Sequence, residues 1–212
     1  MSIATASGAP RIVGGDVADP ADWPFAVALT TPQGDQFCGG TVISTDAVVT
    51  ASHCLVNDFG KPVKPRSVRV VTGRPDLSNE SVGQELRVDK VFVHSEFLSK
   101  SRHDVAVLRL SDPTVATPAL LPTKNEDATE TATGSELRVA GYGSTSRTCC
   151  NGSDVLRDVA TFTVKERKCS RAFPSGGGLV FHPGEEICTL GAPSGEHNTS
   201  SCFGDSGGPL IA

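Results

Sequence analysis

Three side chains that could together cleave an acyl bond are spread along this chain: His53, Asp104 and Ser206. Ser206 lies in Cys202-Phe203-Gly204-Asp205-Ser206-Gly207-Gly208-Pro209, where the glycines permit a sharply turned backbone that side chains would forbid. A serine hydroxyl is a poor nucleophile until a base removes its proton, and neutral imidazole is the usual base near neutral pH. His53, in Thr50-Ala51-Ser52-His53-Cys54, follows the apolar Val48-Val49 and precedes a cysteine that can fix its loop. The imidazole then needs an acceptor that holds its tautomer. Asp104, in His103-Asp104-Val105-Ala106-Val107-Leu108, heads an apolar run, where rigid strand backbone could aim a buried carboxylate. Residue type alone leaves a plainer reading open for each: a glycine-rich turn with an incidental serine, a surface or structural histidine, a turn aspartate. His94, His182 and His197 read as surface or loop residues, and His103 as a neighbour of Asp104.

The elements that must position these groups read as short strands over 25–29, 41–50 with a break at 44–46, 68–71, 86–93, 105–110, 137–140 and 159–164. In Val68-Arg69-Val70 and Leu86-Arg87-Val88 the polar residue alternates with apolar ones, as a half-buried strand requires. No segment carries a long helical period, so the fold class is all-β, a sandwich or barrel. Three prolines between 113 and 122 exclude a central strand there and mark a linker. The polar, acidic stretch 124–136 reads as a solvated loop.

The 212 residues suffice for one large all-β domain or two small ones. The net charge of -5 is spread along the chain, and no basic cluster tracks a phosphate backbone, which excludes nucleic acid as the expected partner. No apolar run is long enough to span a bilayer. Residues 1–11 lack the basic start and apolar middle of a secretory signal. Seven cysteines with no Cys-x-x-Cys spacing point to disulfides and an oxidising, extracellular compartment rather than to zinc. The vicinal Cys149-Cys150 reads as a local or intermolecular disulfide. Asn79, Asn151 and Asn198 head Asn-x-Ser/Thr triplets, open to glycosylation in a eukaryotic source.

Taken together, the octet around Ser206, Thr-Ala-Ser-His-Cys around His53 and Asp-Val-Ala-Val-Leu from Asp104 resemble the three catalytic motifs of the chymotrypsin-like serine proteases. The family more often has alanine where Ser52 stands and tryptophan where Tyr142 stands. Gly204-Asp205-Ser206-Gly207-Gly208 also fits the elbow of α/β-hydrolases, whose acid and histidine follow the serine. Here both precede it, and the six residues after Ser206 include no histidine.

The resemblance implies two antiparallel β-barrels, 12–116 and 117–212, with the active site between them. The second is expected to be incomplete, because family members continue well past the nucleophile. It implies a secreted, monomeric serine endopeptidase with Ser206 as nucleophile, His53 as base, Asp104 orienting His53, and the N–H groups of Gly204 and Ser206 as oxyanion hole. The alternative is a catalytically silent homologue that binds a partner. Arg11-Ile12-Val13-Gly14-Gly15 resembles the family's activation site. Residues 1–11 would then be a pro-segment remnant, and cleavage after Arg11 by an activating protease would free the Ile12 ammonium to pair with Asp205. The bridges implied are Cys38 with Cys54 and Cys169 with Cys188, while Cys202 would pair downstream of Ser206. Ser200, six residues before the nucleophile, would floor the specificity pocket and, lacking a carboxylate, favour apolar or aromatic side chains over basic ones. Partners implied are protein or peptide substrates and protein inhibitors. No cofactor or metal is implied: the family's calcium loop would fall near 73–85, where Arg74 takes the place of an acidic ligand.

Overall fold

Alternation sets the architecture. In the computed structural model, which describes residues 12, 14–100, 102–145, 152–174, 180–194 and 197–212, Val68 and Val70 are buried with Arg69 between them. Leu86 and Val88 likewise point inward while Arg87 faces water. Arg11, Cys149, Cys150 and Asn151 lie outside the described residues. After β1 (Asp16–Val17) come β2 (Ala26–Thr30), β3 (Gln36–Ser44), β4 (Ala47–Thr50), β5 (Arg69–Thr72), β6 (Gln84–Val93) and β7 (Ala106–Leu110). Strands β2 to β7 close into an antiparallel barrel in the order β2-β3-β4-β7-β6-β5. A helix of six residues, α1 (Ser95–Lys100), joins β6 to β7.

The barrel is filled by β-branched and leucine side chains, among them Val27, Leu29, Val42, Val48, Val70 and Leu108, the residue types that suit a pleated, buried surface. Strand β2 is buried at every position. Its second face, Ala26 and Ala28, joins Val71, Trp23, Ala140, Tyr142 and Leu156 in a separate cluster. The small alanines on β2 let the second sheet pack closely against the barrel wall.

The proline-punctuated stretch 113–122 has no helix or strand. It lies along the barrel, with Thr114 N–H on the Thr45 carbonyl and Ala119 N–H on that of Val42. Beyond it α2 (Lys124–Glu130) is a short helix within the stretch expected to be loop. Thr123 and Glu126 explain its start: each side chain accepts from the other's backbone N–H, the reciprocal pattern of a capping box. There follow β8 (Glu136–Gly141), β9 (Arg157–Thr163), α3 (Arg167–Ala172), β10 (Thr189–Gly191), the hairpin strands β11 (Pro193–Ser194) and β12 (His197–Asn198), and β13 (Leu210–Ile211). The second sheet runs β1-β9-β8-β13 with β10 also on β9, and it is open. Residues 16–17 belong to it and not to the barrel.

Leu108 is fully buried at the barrel centre. Leu108→Ala is expected to lower the unfolding free energy by about 2–5 kcal/mol, read as a reduced urea midpoint. An unchanged midpoint would mean that the barrel is not the stabilising core.

Candidate active site

Strand register brings His53 and Asp104 together. Thr50, the last residue of β4, pairs with Ala106, the first of β7, so residues just beyond β4 meet those just before β7. Ser52 to Leu55 form a 3-10 turn, and the Cys38–Cys54 disulfide ties that turn back to β3. Ser52 is fully buried and its hydroxyl donates to the Val105 carbonyl, 2.6 Å away. The serine in place of the usual alanine therefore clamps the two segments.

Asp104 holds His53 at two points. One carboxylate oxygen accepts from the His53 backbone N–H at 2.8 Å, and the other lies 2.6 Å from ring Nδ1. This hydrogen bond raises the affinity of the imidazole for a proton above its ordinary value, with partial burial opposing. Burial pushes the Asp104 carboxyl up, but the hydrogen bonds from His53 and the Ser52 N–H outweigh it and leave Asp104 below the usual carboxylate range. The expectation of a buried aspartate is corrected here: its side chain is 44% exposed. Asp104 precedes the first strand residue, and it lines one end of a 390 Å³ groove with Ala119, Leu121, Gly207 and Leu210.

The loop that carries Ser206 is held by backbone and by one buried carboxylate. Gly39 N–H donates to the Ser206 carbonyl at 2.8 Å, and Ser144 N–H to that of Phe203 at 2.7 Å. Gly204 and Gly207 have φ of +95° and +79°, a region open at low cost only to glycine. A Cβ on Gly207 would also come 2.7 Å from Ala51 N and 2.9 Å from Gly39 O. Asp205 is 5% exposed and accepts from the N–H groups of Gly143 and Cys202, both at 2.8 Å. Burial raises its proton affinity and the two N–H bonds counter part of the rise. No cationic side chain pairs with it among the described residues.

The structure thus joins His53 to Asp104 and seats the Ser206 loop beside them, with Cys54 Sγ 3.8 Å from the Ser206 carbonyl. No hydrogen bond links Ser206 Oγ to His53 Nε2, which lies 3.6 Å from Cys54 Sγ. The N–H groups of Gly204 and Ser206 have no acceptor among the described residues. Ser200 is exposed, its hydroxyl on the Ser201 carbonyl. Ile12 is fully buried, and the Cys169–Cys188 disulfide closes the loop after β9.

Comparison with known proteins decides the family. A sequence profile described as Trypsin matches residues 12–212. A protein named Trypsin from Saccharopolyspora erythraea is 36% identical over 201 residues, covering 94% of this chain and 81% of the relative. The chain belongs to the trypsin family. It is a serine endopeptidase, and its closed barrel and second sheet fit the two-barrel trypsin fold.

Several contacts in this trypsin-family site are not announced by the sequence. Gln36 Nε2 donates to the carbonyls of Cys38 and Gly204, both at 2.9 Å, and Thr50 Oγ1 donates to that of Gly39. Tyr142, at the usual tryptophan position, donates its hydroxyl to the Arg74 carbonyl, and burial pushes its phenol up. Arg74 is itself buried and spans its loop through Nε to the Val82 carbonyl at 3.0 Å.

Gly143 is an exacting position beside the Ser206 loop. A Cβ there would lie 2.5 and 2.6 Å from the two Asp205 oxygens. Gly143→Ala is expected to destabilise the fold by about 1–3 kcal/mol and to abolish ester hydrolysis. Thermal unfolding and turnover unchanged from the unaltered chain would contradict the close fit.

Proposed function

We propose that this chain cleaves peptide bonds by acyl transfer through Ser206, His53 and Asp104, following the family's mechanistic template. His53 Nε2 takes the proton of Ser206 Oγ as the oxygen attacks the scissile carbonyl. The resulting oxyanion is stabilised by the otherwise unbonded N–H groups of Gly204 and Ser206. The tetrahedral intermediate collapses to an ester on Ser206, and His53 returns the proton to the departing amine. Water then repeats the sequence to release the acid. The observation that carries this reading is the double grip of Asp104 on His53, which leaves Nε2 as the nitrogen available for proton transfer.

Activation follows from Asp205. A buried carboxylate without a cation is costly, and an ammonium is the partner that relieves it. Cleavage after Arg11 would create one at Ile12, which is already buried, and the new pair would draw 204–206 into oxyanion-hole shape. Ser200 offers a hydroxyl where a basic side chain would want a carboxylate, so the favoured residue before the scissile bond is apolar or aromatic. An enzyme with that preference does not activate itself at Arg11; a separate protease does. The disulfides suit a secreted, monomeric enzyme acting on extracellular proteins and open to protein inhibitors.

Treatment of the Arg11-cleaved chain with a fluorophosphonate is expected to label it once, and Ser206→Ala to abolish the label. A folded but unlabelled protein would favour the silent, partner-binding alternative. Equal ester turnover before and after cleavage at Arg11 would sink the activation scheme. His53 must be neutral to accept a proton, so turnover should fall as pH drops through its pKa. Because Asp104 raises that pKa, the midpoint should lie above about 6.5. Asp104→Asn should move it down and reduce kcat by about 10⁴-fold, the loss known for this change in the family archetype. An unmoved midpoint would remove Asp104 from the scheme.

A further inference from the structure

We propose that a basic hollow on the outer wall of the barrel, lined by Lys64, Arg66, Arg69 and Arg87, docks an acidic peptide segment of the protein substrate. Strand register builds it. Arg69 of β5 and Arg87 of β6 are direct cross-strand partners, and their neighbours Val68, Val70, Leu86 and Val88 are buried in the barrel, so both guanidinium groups rise from the same outer face. Like charges directly opposite each other destabilise a sheet. Pro65 to Ser67 form a 3-10 turn just before β5, steadied by the Ser67 hydroxyl on the Lys64 carbonyl at 2.7 Å. Arg69 Nη1 donates to the carbonyls of Arg66 and Val68 at 3.1 and 3.0 Å, which holds the turn over the strand. Lys64 and Arg66 thereby join the arginine pair around a hollow of about 670 Å³, within the range of roughly 300–1,000 Å³ typical of ligand pockets.

The carboxylates around the hollow do not cancel its charge. Asp89, in its lining, lies at the bulge where β6 slips against β7 and accepts from Arg109 Nε at 2.9 Å. Glu85 faces Arg69 alone, at 3.6 Å. The side chains of Lys64, Arg66 and Arg87 are exposed and have no bonding partner among the described residues. On a chain of net charge -5, positive charge gathered in one hollow draws the acidic part of a partner to that place. Guanidinium groups pair with carboxylates through two parallel N–H bonds, and a carboxylate between Arg69 and Arg87 would offset their repulsion. A uniformly charged sulfated glycan fits less well, because Asp89 and Glu85 stand among the cations; a peptide can set neutral residues opposite them.

No residue that lines the hollow also lines the groove beside Asp104. A substrate can therefore occupy both at once. Docking its acidic segment holds the scissile segment at a raised effective concentration near the site, which lowers KM and leaves the chemical step alone. This consequence rests on the catalytic reading; the binding itself does not.

Fluorescence anisotropy of the full chain with a fluorescein-labelled oligoglutamate peptide is the test, with oligoglutamine of equal length as control. Saturable binding of oligoglutamate alone is expected, weakening as salt is raised. The double variant Arg66→Ala/Arg87→Ala should weaken it by about tenfold, with circular dichroism verifying that these surface changes leave the fold intact. No saturable binding, equal binding of the control, or binding unchanged in the folded double variant would overturn the proposal. A heparin oligosaccharide of equal charge that binds more tightly than the peptide, and is lost in the same variant, would overturn it in favour of a glycan. A peptide substrate carrying an acidic tail should show a lower KM than the same peptide without it, and the double variant should lose that advantage at unchanged kcat; equal KM for both peptides would overturn the substrate role. Failure of the Arg11-cleaved chain to cleave either peptide counts against the catalytic reading alone, because anisotropy decides the docking site independently.

Discussion

The buried carboxylate of Asp205 is the constraint on which the site depends. It is set between glycines: a Cβ at Gly141 or at Gly143 would collide with it, and the N–H of Gly143 is one of its two partners. The other partner is the N–H of Cys202, three residues earlier in the same loop. Through these bonds one side chain fastens the Ser206 turn to the end of β8. The same turn meets the barrel on its other side through Gly39 N–H and the Ser206 carbonyl. The Ser206 loop, barrel and second sheet are thus held by a few backbone donors, Gly39 and Gly143 among them.

A second geometry, independent of the first, fixes the proposed base, His53. The β4–β7 register delivers His53 and Asp104 to the same edge of the barrel, and Ser52, Cys54 and the Asp104 oxygens lock their relation. The two geometries meet at the shared edge near Gly39 and Thr50. The His53–Asp104 hydrogen bond is complete while the Ser206–His53 bond is not made. On the proposed mechanism the orienting half of the machinery is therefore preassembled, and the nucleophile half would depend on how Asp205 is satisfied. Burial raises the proton affinity of Asp205, and in the proposed activation scheme this carboxylate is where the cleavage-generated cation would act.

Much of this was legible in the sequence because it rests on local chemistry. Strands with clean alternation, such as Leu86-Arg87-Val88, appear where the pattern places them, as do the turns of the Ser206 loop. The first half of β3, Gln36 to Gly40, was missed because Gly39 and Gly40 look like a turn. In the barrel a Cβ on Gly39 would come 3.0 Å from Gly208 Cα, and one on Gly40 would press on the Val48 and Val27 side chains at 2.8 and 2.9 Å. The helix α2 was missed because a polar stretch has no apolar period, and its start depends on the Thr123–Glu126 cap. Long-range partners left no trace at all. Nothing in Gln36 announces that it will hold the Gly204 carbonyl 168 residues away, and nothing at Asp104 announces that its side chain will stay half exposed.

The central claim is that Ser206, activated by His53, carries the acyl group. Intact-mass and peptide mass spectrometry of the Arg11-cleaved chain, quenched in acid after brief exposure to an activated ester, tests it most directly. A single acyl adduct on the peptide containing Ser206, absent in His53→Ala, is the predicted result. An adduct on another residue, or one on Ser206 that forms equally fast without His53, would contradict it.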